Sequence, residues 1–197
     1  MDPAFPVLRW VAIAWLLVWF PAYWRVWGWR NFLQMCDVGI ILTCAGLWSG
    51  DPLLLSSQAV GTLIFDLCWC LDVTGRLLTG RHLLHGAEYV WDRERPLWVR
   101  LLSLHHVAMP VVLLFALHRL GYDPRGWLLQ TAITVPILVA SRVLAPGHNV
   151  NFVELDPFAN RAVGPAPVHV ALCCLVATCV IYWPTHRFLA ALLYNRI

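Results

Sequence analysis

Apolar runs of about twenty residues, close to the length a helix needs to cross bilayer hydrocarbon, alternate along the chain with short clusters of Gly, Pro, Asp and Arg. Six spans follow from this pattern: Phe5–Trp24, Phe32–Trp48, Pro52–Leu71, Leu97–Leu117, Trp127–Leu144 and Val168–Leu189. "SGDP" at Ser49–Pro52 joins the second and third spans as a tight helical hairpin, and "GYDPRG" at Gly121–Gly126 joins the fourth and fifth, because Gly, Pro and Asp stop helices and favour turns. Two connections are longer. Thr74–Pro96 sets Leu77, Leu78, Leu83 and Leu84 among arginines and histidines, which predicts a helix lying on the membrane surface. Ala145–Pro167 has turn residues at both ends and an extended-looking "VNFVEL" between them. With no internal repeat, the expectation is one all-α domain over residues 1–197, a polytopic six-transmembrane-helix bundle.

Composition sharpens that picture. The chain is 60% hydrophobic and 13% charged, with a mean hydropathy of +0.66. A soluble domain of this length has too little interior to hide so much apolar surface. All 14 basic residues are arginine, and a net charge of +3 spread over several loops gives no stripe for nucleic acid. The 12 Trp residues read as interfacial anchors. With six spans both termini share a side. The opposite face holds Arg25, Arg30, Arg76, Arg81, Arg93, Arg95, Arg100, Arg142 and Arg161, against Arg9, Arg119, Arg125, Arg187 and Arg196 on the terminal face. The positive-inside rule then puts both termini outside the cytoplasm, in a membrane of the bacterial inner type. Arg9 and the lack of a small-residue cleavage site make the first span a retained helix. The seven cysteines lie in apolar segments, where they are expected to serve mostly as buried small hydrophobes without a disulfide framework.

Chemistry enters with the polar residues at membrane depth, which mark function by default. In "RNFLQMCDVGIILT", Gln34 and Asp37 are three apart and share a helix face, and Cys36 and Thr43 share another. Gln58, Thr62 and Asp66 recur every four residues as one stripe, and Asp72 closes the same span. "SLHHVAMP" places His105 and His106 inside the fourth span. A thiol becomes a nucleophile when an imidazole takes its proton. Cys36 would attack an acyl carbonyl, His106 would shuttle the proton, and Asp37 or Gln34 would orient the ring or hold the substrate, a membrane lipid or fatty-acyl compound. Gln58, Asp66, His105 and Arg142 are candidate substrate contacts, Arg142 through a lipid phosphate or carboxylate. No cofactor is required. In the other direction, Cys36 would be a packing residue and the histidines helix-tying groups. Asp37, Gln58 and Asp66 would then bind or move a small amphiphile without catalysis. A third reading is a metal-dependent lipid enzyme around His82, His85 and His106, since "HLLHGAE" sets His82, His85 and Glu88 at helical spacing.

The order of these motifs resembles that of YwaF-like integral membrane proteins, a family similar to transmembrane protein 164 and distantly to the androgen-induced hydrolases of fatty-acid esters. "NFLQMCDVGIILT" resembles the leucine-rich signature opening a core helix there, and "LLLSSQAVGTLIFDLCWCLD" the next helix, ending in an acid. "LSLHHVAMPVVLL" resembles a helix with an H-x-x-x-x-P pattern, "SRVLAPGHNVNFVELDPF" an Asn-aromatic segment, and "VGPAPVH" the closing G-P-x-P. The likeness runs from Asn31 to Tyr182. It implies a six-helix intramembrane fold and acyl transfer or ester hydrolysis with a Cys or Thr nucleophile and a His. On this sequence those positions are Cys36 and His106, and Asn151 takes the Asn of the Asn-aromatic pair, as a further candidate substrate contact. Phe152 stands where the family usually has Tyr, and Asp156 where a base often stands.

Overall fold

A computed structural model describes residues 4–157 and 160–193, leaving Phe158 of the Asn-aromatic segment and Arg196 of the terminal face outside the described residues. All regular secondary structure among the described residues is helical. Six helices follow in order: α1 Leu8–Trp27, α2 Met35–Ser49, α3 Pro52–Thr79, α4 Leu97–Leu120, α5 Gly126–Leu144 and α6 Ala166–Leu193. Four of them (α3, α4, α5 and α6) are long and apolar enough to cross a membrane. Of the two that fall short, α2 has only 15 residues and α1 has arginines at both ends, Arg9 and Arg25.

Burial is inverted relative to a water-soluble fold. Leu17, Val111, Val143 and Val180 are each at least 66% exposed, while Asp37, Gln58, Asp66, Asp72 and Gln130 are all 2% exposed or less. Outward hydrocarbon and inward polarity is the arrangement a bilayer solvent selects.

The α2–α3 hairpin is built as its sequence says. Gly50 closes α2 in the left-handed region (φ 66°), Asp51 caps α3 by accepting from the Leu53 and Leu54 amides, and Pro52 occupies the first turn. α3 is the central helix, packed along α2, α4 and α5; α1 lies against α2, and α6 against α5. Close approach needs small residues. A Cβ at Gly39 would lie 2.6 Å from Thr62 Cγ2, and one at Gly126 would lie 2.9 Å from the backbone carbonyl carbon of Ser56. Polar pairs tie the remaining crossings: Gln58 Nε2 donates to Gln130 Oε1 at 3.3 Å, Thr134 meets Tyr182 at 2.8 Å, and Tyr122 meets His186 at 2.8 Å.

Two connections differ from their sequence reading. Thr74–Pro96 is no surface helix. α3 continues to Thr79, and residues 81–87 then fold over the buried Asp72 carboxylate, which accepts the amides of Leu83, Leu84, Gly86 and Ala87 and contacts His82 Nδ1 at 3.0 Å. A carboxylate that collects four donors outcompetes a helix for them. "VNFVEL" is no extended segment either. Asn149, Asn151 and Phe152 all have positive φ and wind a tight turn at Val150–Phe152; two of the three are asparagines, which tolerate that region. The cysteines are less buried than expected: all seven are free, Cys44 alone is buried, and Cys68 and Cys179 are exposed on the apolar outside.

Candidate functional site

The α2 start is pinned from another part of the chain. Asn151 Oδ1 accepts the Met35 amide at 3.0 Å, and its Nδ2 donates to the Leu33 carbonyl at 2.7 Å and to Ser141 Oγ at 2.9 Å. This sets Cys36 in the first turn of α2. Its Sγ is 3.8 Å from Asp37 Oδ1, and Asp37 Oδ2 accepts from Asn31 Nδ2.

Across from α2, a short 3₁₀ turn at Leu102–Leu104 interrupts α4 just before the two histidines. Pro110 has no amide hydrogen to give the His106 carbonyl one turn back, and Cys70 Sγ approaches that carbonyl at 3.6 Å instead. His106 is held on three sides. Its Nδ1 lies 2.7 Å from Asp66 Oδ1, its ring stacks on Trp69 with centroids 4.9 Å apart, and His105 lies 4.1 Å away between ring centroids. Both histidines are buried, at 5% and 6% exposure. Trp69 is in turn fixed by donating Nε1–H to Tyr89 Oη at 2.9 Å, and Ser103 holds Tyr23 Oη at 2.8 Å.

The structure shows two groups of these candidates: Cys36 with Asp37 and Asn31 at the start of α2, and Asp66 with His106 and His105 between α3 and α4. The carboxylate bonded to His106 is that of Asp66, whereas Asp37 sits with Cys36 and Asn31. The remaining sequence candidates are engaged elsewhere. Gln34 occupies the N-cap position of α2 without a capping bond from its side chain. Gln58 is spent on Ser57 and Gln130 between α3 and α5. Arg142 pairs with Glu154 at 2.9 Å, and Glu154 also takes the Gly147 amide, so this pair organises the loop after α5. Asn151 is a scaffold clamp on the α2 start.

The histidine metal set is likewise dispersed. His82 bonds to Asp72, His85 to Glu88 at 3.0 Å and His106 to Asp66, and His85 lies off any helix at φ 55°. Among the described residues no group of three or more His, Cys, Asp or Glu is placed to hold a metal ion.

Sequence reasoning passed over Trp19, Asn31, Trp69 and Ser103. Trp69 lies three residues after Asp66 and so on its face of α3, a signal that was there to read. Trp19, whose ring meets that of His105 edge to face with centroids 6.4 Å apart, is one of 12 tryptophans with nothing in its spacing to single it out. No known protein family, characterised protein or solved structure matches the chain.

Proposed function

We propose that the protein is an intramembrane enzyme that opens or transfers the acyl ester of a membrane lipid, with Cys36 as nucleophile and His106 as its base. The buried Asp66–His106 bond supports this reading above anything else. A carboxylate on Nδ1 holds that nitrogen as the N–H and leaves Nε2 as a bare lone pair, which is the state a general base needs. Sγ bonds to the acyl carbon while the thiol hydrogen passes to His106 Nε2. The C–O bond then breaks, and the departing alcohol oxygen takes that hydrogen from the imidazolium. Asp66 supports the transient positive ring, and Asp37 with Asn31 orients the thiol. The resemblance in motif order points to the same pair.

The reading includes the architecture around the site. All six helices cross the bilayer, α1–α4 enclose a polar cavity, and the short α2 brings Cys36 toward the arginine-rich face. Both termini then lie outside the cytoplasm, by the arginine bias of nine to five between the two faces.

The test is labelling of the purified protein with a thiol-directed acyl probe and a fluorophosphonate. The acyl probe should modify Cys36, and His106→Gln should abolish that modification while thermal unfolding stays cooperative. Labelling spread evenly over the seven cysteines, indifferent to His106, would return the patch to a non-catalytic role in binding an amphiphile.

A further inference from the structure

Residues Ala177–Tyr182 of α6 wind as π-helix, a rare turn found mostly at functional sites. Beside it lies an open groove of about 320 Å³, lined by Trp127 of α5 and by Thr178, Cys179 and Trp183 of α6. The two indoles meet edge to face, with ring centroids 5.0 Å apart. Thr178 gives its hydroxyl hydrogen to Thr131 Oγ1 at 3.4 Å, which ties the two helices beside the groove. Cys179 is exposed, and Trp183 is 42% exposed. The groove therefore opens onto the apolar outside of the bundle and not into its interior.

One end of the groove is charged. Arg187 is exposed and follows Trp183 by four residues, on the same helix face, and its guanidinium carbon lies 6.0 Å from the Trp183 ring centroid. Trp127 stands at the very start of α5, the interfacial level that tryptophan favours. The contact between the two indoles puts Trp183 at that level too. Arg187 then sits about 6 Å farther out, one helical turn, at the depth of lipid head groups. Arg125, just before α5, is spent on Asp123. Arg187 pairs with no carboxylate among the described residues.

Size and charge choose the occupant. A single turn of helix, about 10 Å across and ~5.4 Å tall, fills roughly 400 Å³, more than the groove offers. Its two tryptophans also deny the close backbone approach that small residues give to helix pairs. One hydrocarbon chain fits. We propose that Trp127, Thr178, Cys179 and Trp183 seat one acyl chain of an anionic phospholipid, whose phosphate accepts hydrogen bonds from the Arg187 guanidinium. A guanidinium matches phosphate oxygens two at a time. A zwitterionic head group brings its own cation to that phosphate, so the uncancelled charge of Arg187 selects the anionic one. Bound there, the lipid fills the gap between α5 and α6. The site draws on neither Cys36 nor His106, and it stands whether or not the protein is an enzyme.

Photo-crosslinking tests this. The protein is placed in phosphatidylcholine nanodiscs containing phosphatidylglycerol with a diazirine in one acyl chain, and the labelled residues are identified by peptide mass spectrometry. Labelling of residues 178–183 should exceed that of Leu67 and Leu71, which are exposed on the outside of α3, by roughly tenfold, the scale of one charge-assisted hydrogen bond. Unlabelled phosphatidylglycerol should compete the excess away, and a phosphatidylcholine probe with the same chain should mark both surfaces alike. Arg187→Gln should bring residues 178–183 down to the α3 level, while Arg187→Lys, which keeps the charge, should retain part of the excess. Cys179→Trp fills the groove, leaves the guanidinium in place and should also remove the excess. All three changes are on exposed positions, and cooperative thermal unfolding checks that the bundle is intact. Even labelling of α3 and α6 by the phosphatidylglycerol probe, or an excess that survives Arg187→Gln, overturns the site. So does a dimer in native mass spectrometry that shields residues 178–183 from both probes, because the occupant is then a second copy of the chain.

Discussion

At the scale of single residues, the two acids near Cys36 have different partners and should fail differently. Asp66→Asn keeps volume but lets an amide N–H face His106 Nδ1, which favours the tautomer whose Nε2 already carries hydrogen. Formation of acyl-Cys36 should fall by roughly 100-fold or more, because the base is then in the wrong form. Asp37→Asn still accepts from Asn31, so its loss should stay within about tenfold. Burst kinetics on both variants check the difference, and equal losses would contradict the assignment of Asp66 as the orienting group. The thiols give a second contrast. Cys36→Ser should retain its thermal midpoint yet lose acyl transfer, since a hydroxyl is far harder to ionise. Cys44 only approaches the Ala12 carbonyl at 3.6 Å, and its serine variant should turn over normally. Identical activity in the two serine variants would count against a nucleophilic Cys36.

At the scale of elements, stability concentrates where one group serves several backbone positions. Asp72 holds residues 83–87 through four amides. Asp72→Ala should cost about 2–4 kcal/mol, less than four full desolvation penalties because the freed loop can turn toward water. A lower melting temperature and new tryptic cleavage after Arg81 would register it. Gly126→Ala should also destabilise, by about 1–3 kcal/mol, because the new methyl meets the backbone of Ser56 and Ser57 rather than a side chain that can move. The α4–α5 turn contributes a pH dependence. Arg125 bonds both oxygens of Asp123, at 3.1 and 2.8 Å, and holds that carboxyl below its ordinary range. A lowered folded-state value means the contribution is present above the unfolded carboxylate value, near 4, and disappears as pH falls through the lower folded one. Asp123→Asn should flatten the acid limb of the melting-temperature profile and leave its alkaline side unchanged.

At the scale of the whole molecule, the inverted burial asks for a bilayer, and the arginine distribution asks for a particular side. Reporter fusions after Ile197 and within residues 80–96 should report opposite compartments, with the 80–96 loop cytoplasmic; the same compartment for both would rule out an odd number of spans between that loop and the C-terminus, and with it the crossing of all three helices α4, α5 and α6. The sequence alone determined the six helices, their order and the α2–α3 hairpin, because runs of apolar residues and Gly, Asp and Pro punctuation act over a few neighbours; the Gly121–Gly126 turn joins α4 and α5, but these pack on α3 rather than on each other as a hairpin. It also singled out Cys36, Asp66 and the His105–His106 pair as polar residues at unusual depth, since their oddity is measured against adjacent residues. Tertiary structure decided which groups meet. Asp66 rather than Asp37 reached His106, because side-chain direction depends on how α3 and α4 cross. The Asp72 carboxylate overrode the amphipathic pattern of the loop after α3, since four donors converge on it only once the chain has folded back. Asn151 and Arg142, read as substrate groups, became fastenings of the loop beside α2. Hydrogen-bond partners lie far apart in sequence and are chosen by distance and direction, and neither is written in local spacing.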